Sequence, residues 1–112
     1  MTNANNSQRV GFDTERTLAA TSFTGAFQNI GTAMQNNPVV LVLDNQTDVS
    51  VPLSVDGVNI WKTFSAGEAF ILDLRANHGT AANFTMDIGT QFSTNAAVGT
   101  SGSFRISVIY AR

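Results

Sequence analysis

Apolar and polar residues alternate with a period of two along most of the chain. Val49, Val51, Leu53 and Val55 alternate with Ser50, Pro52, Ser54 and Asp56. This is the pattern of a strand with one face on a core and the other in water. Pro52 cannot donate to a ladder, which predicts a sheet edge or a bulge at that position. Asp56-Gly57 follows, a dipeptide suited to the positive φ of a two-residue type I′ turn. Residues 58–64 then supply a returning strand, with Val58, Ile60 and Lys62 on one face and Trp61 on the other.

Upstream, Pro38-Val-Val-Leu-Val-Leu43 is apolar at every position after the proline. A short continuous run of this kind predicts a central strand covered on both faces. Downstream, Phe70, Leu72 and Leu74 alternate with Ile71 and Asp73, and Phe104, Ile106, Val108 and Tyr110 alternate with Arg105, Ser107 and Ile109. Weaker strands are predicted over residues 16–23, 27–34, 84–88 and 90–94. Glycine turns at Gly25, Gly67, Gly79, Gly89 and Gly102 separate these segments, and no helix and no internal repeat is evident. Seven to nine short strands at this spacing predict an all-β, single-domain antiparallel β-sandwich, jelly-roll-like or a small barrel.

The first residues break the pattern. They are polar and Asn-rich, so residues 1–14 are expected to form a flexible arm and 15–112 the sandwich domain. With 112 residues, one domain is the expectation. Charged residues make up 12% of the chain, about half the usual share. Asn, Gln, Ser, Thr and Gly take their place, a surface suited to contact with neighbouring subunits rather than to steering an ionic ligand. The net charge is −2, and the basic residues are scattered. A nucleic-acid partner is therefore not expected. There is no cysteine to staple the fold or bind zinc. No signal peptide is recognisable at residues 1–9 and no apolar run is long enough for a membrane span, so the expectation is synthesis in a cytoplasm.

Candidate chemistry adds little. His78 is the sole histidine and sits in a polar glycine-containing stretch, which points to an exposed loop. The carboxylates Asp13, Glu15, Asp44, Asp48, Asp56, Glu68, Asp73 and Asp87 fall mainly in turns and strand ends, where aspartate caps its own backbone. Residues 44–48 lack the alternate ligands and closing glutamate of a calcium loop. No phosphate-binding glycine loop or nucleophile elbow occurs. The sequence therefore predicts no enzyme, no cofactor and no metal site. It offers interface candidates instead: Trp61 as an aromatic anchor, Pro52 on a strand edge, and Asn5, Asn6 and Arg9 in the arm. A second reading is a carbohydrate- or receptor-binding module for host adhesion, using Trp61, Asn59 and Asp56.

The segments Phe27-Gln-Asn-Ile-Gly-Thr-Ala-Met34, Pro38-Val-Val-Leu-Val-Leu-Asp-Asn45, Val55-Asp-Gly-Val-Asn59, Ala66-Gly67 and Phe70-Ile-Leu-Asp73 carry a resemblance. Gly89-Thr-Gln-Phe92 and Ser103-Phe-Arg-Ile-Ser-Val-Ile-Tyr110 continue it. Together they resemble short β-rich virion structural proteins of tailed bacteriophages, over about residues 16–111. The resemblance implies a multicopy particle component that forms homo-oligomers and binds portal, connector, tail or capsid subunits. The head–tail junction or tail is the favoured position, and a capsid decoration protein is the alternative. No functional residue is carried over, because these motifs are strands and turns.

Overall fold

A computed structural model describes residues 10–73 and 88–111. His78 and the strand expected over 84–88, apart from Ile88, lie outside them, as do Asn5, Asn6 and Arg9. The described residues form nine strands. In chain order these are β1 (Val10–Phe12), β2 (Arg16–Ala19), β3 (Gln28–Asn29), β4 (Pro38–Asn45), β5 (Val51–Ser54), β6 (Lys62–Phe64), β7 (Ala69–Asp73), β8 (Ser93–Thr94) and β9 (Ser103–Ala111). A single 3-10 turn follows β2 over Ala20–Ser22.

The pairings are nested and antiparallel: β2 with β9, β3 with β8, β4 with β7 and β5 with β6. Such nesting is one long hairpin rolled on itself. Two further antiparallel pairings, β4 with β9 and β5 with β8, stitch the roll into two sheets. Sheet A runs β2, β9, β4, β7, with β1 extending the β2 side of β9, and sheet B runs β3, β8, β5, β6. This connectivity is a jelly roll, the more specific form of the expected sandwich.

Alternate residues of both sheets point into one core. Leu41, Leu43, Phe104, Ile106 and Val108 from sheet A meet Val51, Leu53 and Phe64 from sheet B, with Phe23, Ile30, Met34 and Phe92 from the connections. Phe64 stands edge-on to Phe104 with ring centroids 5.3 Å apart. Where β4 leaves sheet A, Asn45 is fully buried. Its Nδ2 donates to the carbonyls of Val49, Phe64 and Ser65, and its Oδ1 accepts from the Thr47 amide and hydroxyl. Asn45 is thus a buried corner, with its polar groups satisfied as a dry site requires.

Several local expectations are corrected. The Asp56-Gly57 pair does not make a two-residue turn. Leu53 pairs with Lys62, so a longer loop connects β5 to β6, with Gly57 at φ 78° inside it. Pro52 is not on a sheet edge, because β5 lies between β8 and β6. It is tolerated because its partner in β6 is Thr63 and the short ladder to β8 begins one residue later, at Leu53. The arm ends earlier than residue 14, since Val10–Phe12 pairs with the end of β9. The β4 strand is central as expected. Its inner residues are buried, but Val40, Val42 and Asp44 on the other face are half-exposed.

Candidate interaction surfaces

Register fixes which residues share the outer face of sheet A. Directly opposed residues point the same way, so Phe12, Ile109, Val40 and Asp73 form one row. Ser107, Val42 and Ile71 form the next, and Thr17, Arg105, Asp44 and Ala69 the third. Phe12, Ile109, Val40, Val42 and Ile71 therefore make a continuous apolar band across β1, β9, β4 and β7. Phe12 is 69% exposed and Ile71 66%. The third row ends the band with charge, where Arg105 pairs with Glu15 at 3.2 Å.

Phe12 reaches this face because of a shift in register. Phe12 opposes Ile109 and Arg16 opposes Ile106, so the first strand holds one more residue than β9 in that interval. The extra residue acts as a bulge and turns Arg16 inward. Arg16 is 2% exposed. Its guanidinium donates to the carbonyls of Thr32, Ala33 and Thr14 and lies 3.7 Å from Asp13. It closes the β2–β3 side of the sandwich. By sequence Arg16 is one of the scattered cations; an arginine opening a strand before Leu18 carries no local sign of such a clamp.

The opposite side is closed by aromatics. Trp61 stands edge-on to Phe70 at 6.5 Å. Lys62 Nζ lies 5.0 Å from the Phe64 ring centroid and 5.4 Å from that of Phe70, and it pairs with Glu68 at 3.0 Å. Glu68 is held below its ordinary value, first by the Ser65 amide and then by Lys62. Trp61 is 40% exposed, so it is partly a packing residue and partly accessible. Val58 and Ile60 beside it are exposed.

The β5–β6 loop that presents these side chains is held from within. Asp56 Oδ1 accepts from the amides of Val58 and Asn59 and from the Ser54 hydroxyl, and its Oδ2 accepts from Asn59 Nδ2. The Asn59 and Val58 amides hold the Asp56 carboxyl well below the usual carboxylate range. Asp56 and Asn59, proposed by sequence as sugar ligands beside Trp61, thus build the loop first. Asp48 plays a like part elsewhere. Its carboxylate accepts from the Thr100 hydroxyl and amide and from the Ser101 amide, bonds that lower its pKa to about 2.

Among the described residues no group of three or more His, Asp and Glu side chains converges as a metal site would need, and no helix is long and apolar enough to cross a membrane. No protein-family model matches the chain, and neither a curated protein nor a solved structure matches it.

Proposed function

We propose that this chain is a structural protein of a tailed-bacteriophage particle, present in many copies and bound to neighbouring subunits through the outer face of sheet A. The observation that carries the reading is the apolar band from Phe12 to Ile71. A solvated sheet face is normally polar, and an apolar patch rimmed by charge is the mark of a protein contact surface. Its occupant in this reading is a second copy of the chain or a particle subunit packed face to face, as repeated contacts build symmetric assemblies. The scarcity of charge supports it, since interface centres are depleted in charged residues. The jelly roll supports it as a likeness of architecture, shared by many viral capsid proteins and by lectin domains. No catalytic role belongs to this reading.

Light scattering coupled to size exclusion tests the surface: concentration-dependent oligomers are expected, and they are lost in Ile71→Asp. A strictly monomeric chain, together with its absence from purified particles by mass spectrometry, sinks the reading. Copy number per particle separates a junction or tail component from a capsid decoration protein.

A further inference from the structure

The outer face of sheet B differs in kind from that of sheet A. Asn29, Ser93 and Ser54 oppose one another across β3, β8 and β5. Beside this row lies an open cleft of about 260 Å³, lined by Asn29, Ser93, Val55, Asp56 and Gly57 with the segment from Gly89 to Gln91. Ser93 is 3% exposed. Its Oγ is the buried side-chain polar atom, among the described residues, that has no hydrogen-bond partner. An unpaired buried hydroxyl costs roughly 1–3 kcal/mol, so native proteins rarely keep one without a use.

We propose that this cleft binds one ring of a neutral sugar. Ser93 lines the cleft, and a turn about its Cα–Cβ bond would bring its buried hydroxyl to a ligand. That hydroxyl both donates and accepts, and the group that complements it on both counts is another hydroxyl. Asn29 adds an exposed amide that also donates and accepts. Asp56 Oδ2 accepts one bond, from Asn59 Nδ2 at 3.1 Å, and retains acceptor capacity. Among the described residues Val55 is the one apolar side chain in the lining, enough for the C–H face of a ring and too little for a lipophilic ligand. Among the described residues no cation lines the cleft, so phosphate or a carboxylated sugar would meet only the Asp56 charge there. The volume falls below the usual range for drug-sized pockets, about 300–1,000 Å³, which suits a single ring whose neighbours extend into solvent. The site lies on the sheet facing away from the apolar band, so it stands or falls separately from the assembly reading.

The test is an amide-resolved NMR titration of the full chain with D-glucose, D-galactose and N-acetyl-D-glucosamine, each to about 50 mM, a range suited to millimolar affinity. Inorganic phosphate and glucuronate serve as anionic comparators. Saturable shifts at Asn29, Gly57 and Ser93 with at least one neutral sugar are expected, and none with the anions. Asn29→Ala, an exposed change that leaves the fold intact, should weaken binding about tenfold, as should Ser93→Ala, matching the loss of about one hydrogen bond each. No saturable shift with any neutral sugar overturns the proposal. So does a preference for phosphate or glucuronate, or binding by both variants as tight as that of the unaltered chain.

Discussion

The two sheets of this sandwich share one core and present opposite outer surfaces. Sheet A turns Phe12, Ile109, Val40, Val42 and Ile71 outward as a flat apolar band. On sheet B the outward row is the exposed Asn29 with the buried Ser93 and Ser54, beside an open cleft. The difference follows from strand length as much as from composition. The long strands β4 and β9 lie side by side, in continuous register from Val40 to Asn45, and make a broad platform. In sheet B, β3 and β8 are two residues each, and loops fill the space beside them. Loops bring backbone groups and turn residues to the surface, so that side is concave and polar, whereas a regular ladder satisfies its backbone and leaves side chains to decide the surface.

The contrast depends on both sheets being held to one core, and Gly102→Ala should break it most completely. Gly102 has φ 81°, and a Cβ there would strike the Gln46 carbonyl. Left-handed strain and a backbone clash together should cost about 3 kcal/mol or more, seen as a lower midpoint in urea unfolding. Ile71→Asp should act on one face alone. Self-association should vanish on size exclusion, while monomer stability changes by about 0.5 kcal/mol or less, because Ile71 is exposed.

Ser54 and Ser93 oppose each other in register and should respond with different signs. Ser54→Ala removes the hydroxyl that bonds Asp56 and accepts from the Gly57 amide at 2.8 Å, at a cost of about 1–2 kcal/mol. Ser93→Ala removes an unpaired hydroxyl and should be neutral or stabilising by up to about 1 kcal/mol. Thermal unfolding of the two variants measures both.

The smallest effect is in pH. Asp48 is lowered from 3.8 to about 2 by its bonds to Thr100 and Ser101. A depressed folded-state pKa adds stability above the unfolded value that is lost as pH falls through the folded one. Thermal midpoints should therefore be level above about pH 4 in respect of this group and decline between pH 4 and 2, a decline that Asp48→Asn should flatten.

Much of the architecture was legible from periodicity. Phe104, Ile106 and Val108 are core residues where alternation places them, and Leu41 and Leu43 are core residues of the continuous apolar run. Pro52 and the Asp56-Gly57 pair misled, because both were judged as local signals. Pro52 is harmless inside a sheet since its missing donor falls where the ladder to β8 stops. The Asp-Gly turn gave way to a longer loop because Asp56 caps Val58 and Asn59 instead. Trp61 was recognisable as a candidate anchor, and its contact with Phe70 on the neighbouring sheet was not.

By itself the sequence determined that the chain is all-β, that the strand beginning at Pro38 lies central and which alternating strand residues enter the core, because a two-residue period is a property of the strand alone. Tertiary structure decided which strands are neighbours, and through them the band on sheet A, the Arg16 clamp, the Asn45 corner and the cleft at Ser93. Each of these joins residues distant in sequence. A polar or apolar outward residue means little until the register shows what lies beside it.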